Sequence, residues 1–312
     1  MSGWEYLNVF PLYDWRHVPG TTVELFPGSD HLSCAGQTAP KYRGSSHFVG
    51  GVDADGGKGV FAFAMSPVAA GHENTTLRAH KSWFWLGDGS VISCVDEISA
   101  EHAVVTTLEQ AWADAPKANG AAIKRGETKT GTAFANGGLV YRSLSDGAEL
   151  TASVEHKAAG WTVVADEYGD YPSVEGEVFA LTFAHGEKPA PLCHSVTAGG
   201  GAPSRATIER TASVTSVSRP GANATVGAVF WEAGSANLSQ TEQLRASAPC
   251  TVVATAVSGG GWELHAADPS RELAALTLTV DSGAGTAPCA WEVPLPQGTA
   301  AGSSVAGKLS CG

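Results

Sequence analysis

Ser82-Trp83-Phe84-Trp85-Leu86-Gly87-Asp88-Gly89-Ser90-Val91-Ile92-Ser93-Cys94 sets two runs of aromatic and β-branched residues on either side of a Gly-Asp-Gly turn. Asp-Gly supplies the positive φ angles that a tight connection needs, so the segment reads as an antiparallel hairpin. Side chains alternate across a strand, so Trp83 and Trp85 share one face. That face is expected to be core, the usual place for bulky apolar side chains, with sugar stacking as the alternative.

Outward from this hairpin the same texture recurs. Val60 to Ala64, Trp161 to Val164, Val178 to Phe183, Cys250 to Val253, Trp262 to His265 and Leu276 to Val280 are apolar runs bounded by Gly, Asp, Asn or Pro. Such punctuation with β-branched and aromatic enrichment predicts sandwich sheets. Ala100 to Ala113 is rich in Ala, Glu and Gln and has helical composition, but Val104-Val105-Thr106-Thr107 at its centre lowers helix preference, and a strand is expected. Ala198-Gly199-Gly200-Gly201-Ala202-Pro203-Ser204 is the best boundary between domains, here set at 1–200 and 201–312, because Gly and Pro deny it regular structure. Gly298 to Ser304 has the same composition and is expected to be loose.

The bulk numbers agree with a turn-rich β protein. The chain has 312 residues, enough for two domains with their own cores. Charged residues make up only 16% and glycines number 38, the reverse of a helical composition. Asp and Glu total 31 against 19 Lys and Arg, a net charge of -12, so no broad basic footprint for nucleic acid exists. An acidic ligand would need a local patch, for which Arg16, His17, Lys41, Arg43 and His47 are candidates beside the plainer reading of solvated loop charges.

Several chemistries are set aside. The six cysteines at 34, 94, 193, 250, 289 and 311 are too widely spaced for a zinc motif; disulfides and buried thiols both remain open. His185-Gly186 has no second ligand at metal spacing and reads as a turn or a satisfied histidine. Asp53-Ala54-Asp55-Gly56 is a turn rather than a calcium loop, and Gly50-Gly51 lacks the context of a nucleotide loop. No metal and no cofactor are expected. Sequons at Asn74, Asn223 and Asn237 carry little weight, since such triplets arise by chance. The first residues do not form a signal peptide, and no apolar run is long enough to span a membrane.

Trp4-Glu5-Tyr6-Leu7-Asn8 leading to Trp15-Arg16-His17-Val18-Pro19-Gly20-Thr21-Thr22 resembles the opening of the β-sandwich half of polysaccharide lyase family 8, the chondroitin AC, hyaluronate and xanthan lyases. Further landmarks follow in family order: Phe48-Val49-Gly50-Gly51-Val52, Ala79-His80-Lys81-Ser82-Trp83-Phe84, His185-Gly186-Glu187-Lys188-Pro189, Phe230-Trp231-Glu232-Ala233-Gly234 and Asp268-Pro269-Ser270. The resemblance implies an all-β chain, a large antiparallel super-β-sandwich of galactose mutarotase type followed by a smaller antiparallel sandwich. It implies an acidic, uronic-acid-containing polysaccharide as partner, cleaved by β-elimination, and an extracellular or periplasmic setting.

In the family a preceding helical domain carries the main catalytic Asn, His, Tyr and Arg, and those roles have no positions here to fall on. Two supporting roles do: the resemblance implies that Glu5 pairs with an Arg of the helical domain and that Asn8 lines the substrate site. Both residue types also satisfy local backbone groups in loops. Trp4, Tyr6 and Trp15 are candidates for stacking on sugar, and Arg16 and Arg43 for meeting its charge. The expected function is the sandwich portion of such a lyase, inactive or nearly so without its helical partner. The alternatives are a stand-alone carbohydrate-binding sandwich, or a mutarotase-like enzyme, for which no convincing acid and base pair is found.

Overall fold

The computed structural model describes residues 8–25, 44–66, 75–199, 206–221, 224–283 and 287–311. Among them the regular structure is β-strand interrupted by short 3-10 turns, and the sheets are antiparallel sandwiches, as the sequence predicts. The chain forms two compact units, each discontinuous in sequence. One comprises Met1–Ser45, Ser66–Arg78 and Ile98–Gly201, the other Ser46–Met65, Ala79–Glu97 and Ala202–Gly312.

In the first unit a five-stranded sheet runs in the order Thr22–Glu24, Val104–Trp112, Val174–Ala184, Leu150–Ala159, Thr128–Gly131. Its core joins Leu108, Leu150, Val154, Phe179 and Leu181 to Phe134, Tyr141 and Leu192 from the strands Ala133–Asn136, Leu139–Ser143 and Leu192–Ala198. Each such side chain contributes about 1.5–3 kcal/mol on burial. Val104–Trp112 is a strand as expected, because it is paired on both edges, Thr106 with Thr22 and Trp112 with Val178, and is buried along most of its length. His185 is a satisfied core histidine. Its Nδ1 donates to the Ala190 carbonyl at 2.6 Å, which leaves Nε2 to accept from Thr106 Oγ1 at 2.7 Å.

The second unit holds Val49–Ala54, Lys58–Met65 and most of Arg78–Leu86. It also holds a six-stranded sheet from Thr207–Arg210 to Val305–Leu309 and a four-stranded sheet from Gly234–Asn237 to Cys289–Pro294. Phe230, Leu244, Val252, Leu264, Leu278 and Val293 fill the space between the last two. The landmark residues have structural reasons. A Cβ on Gly51 would collide with the Val60 carbonyl oxygen, so only glycine fits that strand. Asp268 is buried and accepts from Ser270 N and Oγ and from the Glu272 and Leu273 amides; burial raises its carboxyl, but these donors outweigh it and hold the pKa below the usual value. Cys289 and Cys311 form a disulfide, while Cys250 is a buried free thiol whose pKa burial pushes up.

Three expectations are corrected. Trp161 to Val164 is not a strand: Trp161–Val163 is a 3-10 turn, because the hairpin of Leu150–Ala159 with Val174–Ala184 ends its register at Ala159 and Val174 and offers residues 160–173 no partner. Trp83 and Trp85 do not face the core. Phe84 and Leu86 take the inner face against Gly227, whose absent Cβ would lie 2.8 Å from Phe84 Cδ1, and the tryptophans alternate outward. Size alone favoured the tryptophans, but a strand that meets a glycine seat buries whichever alternate set fits it. Gly298 to Ser304 is fixed rather than loose, carrying a 3-10 turn at Gly298–Ala300 and a hydroxyl, Ser304 Oγ, that accepts from the Asp53 amide at 2.8 Å. The boundary at Ala198 to Ser204 falls mostly outside the described residues.

Gly227→Val is expected to lower stability by about 1–3 kcal/mol through overpacking against Phe84, Val60 and Leu86. Calorimetric melting checks it; an unchanged melting temperature would show that the seat has slack.

Candidate functional site

Asn8 precedes a 3-10 turn, Phe10–Leu12, with Pro11 in its first positions. The turn buries Val9, Leu12 and Tyr13 against Val178, so the N-terminal segment is nailed to the end of the five-stranded sheet. Trp112 closes its strand at that same end and lies against Gly176, where a Cβ would come within 2.6 Å of Trp112 Cζ3. Beyond the hairpin, residues 160–173 carry Trp161, Tyr168 and Tyr171. Their ring centroids are 6.3, 6.1 and 5.7 Å apart, with the Tyr168 ring edge-on to both of the others.

These elements enclose a cavity of about 800 Å³ lined by Asn8, Trp112, Trp161, Tyr168, Tyr171 and Glu175, with Pro172, Ser173 and Val174. Tyr171 is 61% exposed and Tyr168 37%. Aromatic rings held in contact with water at the mouth of a cavity mark a binding surface rather than a core. The one charged residue in the lining is Glu175, and it is exposed. Arg125 and His156 both reach Glu177, at 3.5 and 3.3 Å. The lining has Asn, Ser and Tyr for hydrogen bonds, one carboxylate and no His, Lys or Arg, so it suits the faces and hydroxyls of a sugar better than the neutralising of a uronate's charge.

The sequence candidates fall as follows. Asn8 reaches the cavity. Trp15 packs edge-on to Phe10 and Tyr13 at 5.6 Å beside the cavity floor, its indole Nε1 buried without a hydrogen-bond partner among the described residues. Arg16 is engaged by Asp14, with Nε to Oδ1 at 2.9 Å and Nη2 to Oδ2 at 2.6 Å. Burial raises the Asp14 carboxyl, but the Arg16 side-chain and backbone donors outweigh it and leave the pKa below the usual range. The same burial lowers His17, which Asp14 only partly offsets. Gln110 clamps this stretch by donating to the Asp14 and His17 carbonyls. His47 pairs with Glu272 at 2.8 Å on an exposed surface. Trp4, Glu5, Tyr6, Lys41 and Arg43 lie outside the described residues.

Trp112, Trp161, Tyr168, Tyr171 and Glu175 were not among the candidates. The available signal was the crowding of Trp161, Tyr168 and Tyr171 between Gly160 and Pro172, a density of large aromatics that a turn-rich loop does not need.

Comparison with known proteins bears on all of this. Residues 1–211 match the model of the polysaccharide lyase family 8 super-sandwich domain, and residues 207–277 that of the family's C-terminal β-sandwich domain. Chondroitinase-AC of Pedobacter heparinus is 29% identical over 198 residues, 61% of this chain and 26% of that protein. Three solved structures share the fold. A chondroitinase AC lyase studied with oligosaccharides has TM-score 0.82 at 24% identity, covering 97% of this chain and 45% of its own. The xanthan lyase of Paenibacillus has TM-score 0.77 at 18%, covering 96% and 31%. The Streptomyces coelicolor A3 chondroitin AC lyase, solved with chondroitin sulphate, has TM-score 0.74 at 20%, covering 99% and 42%. The chain thus spans about a quarter of the curated relative and less than half of each of these solved chains.

Proposed function

The chain belongs to polysaccharide lyase family 8, and from that premise we propose that it forms the sandwich-side wall of a lyase that cleaves a uronic-acid-containing, glycosaminoglycan-like polysaccharide by β-elimination. The observation that carries the reading is the aromatic cavity that receives Asn8. In β-elimination the proton beside the uronate carboxylate is removed and the glycosidic oxygen on the neighbouring carbon departs, leaving an unsaturated sugar. Negative charge builds on the carboxylate as this happens, so the reaction needs cations or strong donors there and a base at the ring. The lining described here contains no cation, and its one carboxylate, Glu175, adds negative charge where the developing enolate needs donors.

The role of this wall is therefore to hold. Trp112, Trp161, Tyr168 and Tyr171 present faces for pyranose stacking, and the Asn8 amide both donates to and accepts from sugar hydroxyls. Glu5, in the segment just before Asn8, fits the family role of fixing an Arg across the cleft, since a carboxylate accepts a guanidinium bidentately. Within this proposal, 1–200 and 201–312 are the two sequence domains, a helical domain is the polypeptide partner, and the setting is extracellular or periplasmic. A purely carbohydrate-binding sandwich is the second reading, favoured by exposed rings in a lining without a cation.

Electrophoresis in gels containing chondroitin sulphate or hyaluronan tests binding. The protein is expected to be retarded, and Trp161→Ala/Tyr171→Ala to migrate freely. Incubated with the same polymers it is expected to give no ultraviolet absorbance of an unsaturated uronate by itself. An unretarded wild-type protein overturns the binding role. A genuine absorbance rise overturns the claim that this wall only holds substrate.

A further inference from the structure

Asn136 is 5% exposed and ends the strand Ala133–Asn136 on the face that Phe134 gives to the core. Alternation calls for an apolar side chain at that place. An amide stands there instead, and its partners give the reason. Nδ2 donates to the Trp112 carbonyl at 2.8 Å, and Oδ1 accepts from the Asp114 amide at 2.8 Å. Gly137, which takes φ 55° in the turn that follows, donates its amide to the Asp114 carbonyl at 3.0 Å.

In an antiparallel strand the carbonyl of one residue and the amide two residues further on leave by the same edge. The Asn136 side chain therefore takes up the two groups that a neighbouring strand would otherwise satisfy. Among the described residues no strand does so, since Thr22–Glu24 pairs only with Val104, Val105 and Thr106. On the other edge the Ala113 amide donates to the Glu177 carbonyl at 2.9 Å. Residues 112–114 are thus held from both sides, by a strand on one and by a single asparagine on the other, before the chain turns away at Ala115, whose φ is 48°. Trp112 is the last residue of its strand, and its indole rests against Gly176 and lines the aromatic cavity.

The geometry points to Asn136 as a positioning residue for the cavity: it fixes the backbone of Trp112, and so the ring that a sugar would meet. The inference rests on the reading above that this cavity receives a sugar. It also names the property required, one donor and one acceptor on a planar group of asparagine's size. Aspartate has that shape, but when ionised it offers two acceptors and sets negative charge against the Trp112 carbonyl oxygen. When protonated it regains a donor, and burial beside a carbonyl penalises the ionised form. Asn136→Asp therefore carries its own rescue by acid.

The first measurement needs no ligand. In protein labelled with fluorotryptophan, the fluorine resonance that disappears in Trp112→Phe reports that ring. Asn136→Asp is expected to shift and broaden it at about pH 8 and to restore it at about pH 5, while the resonance lost in Trp262→Phe, a core residue of the second unit, stays fixed and shows that the protein is folded. Asn136→Leu supplies the apolar side chain that alternation calls for, and is expected to move the Trp112 resonance at both pH values. The second measurement is calorimetric titration with chondroitin sulphate. Asn136→Asp is expected to bind about tenfold more weakly than the wild type at about pH 8, to match it at about pH 5, and to cost nothing in the Trp112→Ala background, where the ring it positions is gone. A Trp112 resonance that neither variant moves overturns the inference. An equal loss of affinity in the Trp112→Ala background overturns it as well, because Asn136 then supports the fold at large. A resonance that moves in a protein whose wild type binds no polymer supports the hold of Asn136 on Trp112 and overturns the reading of the cavity as a sugar site.

Discussion

Glu24→Gln is expected to destabilise the protein by about 3 kcal/mol at neutral pH, among the largest costs of any conservative change in the first unit. The Glu24 side chain has no solvent exposure. Its two oxygens accept from Thr75 Oγ1, Thr76 N and Oγ1, Glu101 N, and His102 N and Nδ1, all between 2.7 and 3.1 Å. One carboxylate thus ties the chain at 75–76 and at 101–102 to the first strand of the five-stranded sheet. An amide of the same shape turns its NH2 toward donors and leaves several of them without an acceptor.

The pH dependence gives the sign. Burial raises the Glu24 carboxyl, but the Thr76 and His102 donors outweigh it and bring the pKa from 4.5 down to about 2. The folded state therefore takes up this proton at lower pH than the unfolded chain. Its stabilisation is complete above pH 4.5 and is lost as pH falls toward 2, by roughly 3 kcal/mol. Other lowered carboxyls such as Asp14 and Asp268 titrate in the same range, so the quantity to measure is the difference between wild type and Glu24→Gln in denaturant unfolding. That difference is expected to shrink steadily below pH 4.5; a constant gap down to pH 2 would falsify the assignment.

What was legible in the sequence was local chemistry. Gly87-Asp88-Gly89 announces its hairpin because positive φ is a property of single residues, and Gly87 and Gly89 adopt it, at 81° and 75°. The strand at Val104–Trp112 was legible because β-branching acts on the residue that carries it. The face choice at Trp83 and Trp85 was not, because it depends on Gly227, more than a hundred residues away, offering a seat that Phe84 and Leu86 fill. The cavity was illegible for the same reason. Asn8, Trp112 and Trp161 come from three separate stretches, brought together by a hairpin register and by a glycine whose role appears only when a ring is found against it. The family landmarks carried the fold because they preserve such long-range constraints, Gly51 under the Val60 carbonyl and Asp268 capping the loop after it, in a form that reads as a short string.

Gly176→Ala is the sharpest probe of how that register serves binding. The new methyl would stand 2.6 Å from Trp112 Cζ3 and 3.3 Å from Cε3 and Cη2, so the indole, which lines the cavity, must move. Overpacking is expected to cost about 2 kcal/mol of stability. The displaced ring takes space that a pyranose would occupy, and affinity for chondroitin sulphate is expected to fall about tenfold, or about 1.4 kcal/mol. Trp112→Phe alone shortens the stacking surface and weakens binding modestly. Combined with Gly176→Ala, however, the smaller ring leaves room for the methyl, so the double variant is expected to bind better than Gly176→Ala alone and to melt higher. That non-additivity, read as a double-mutant cycle in both affinity and stability, is the signature of direct contact between the two positions. Strict additivity, or a Gly176→Ala protein that binds as the wild type does, would mean that Trp112 is only packing and that the sugar rests on Trp161, Tyr168 and Tyr171 without it.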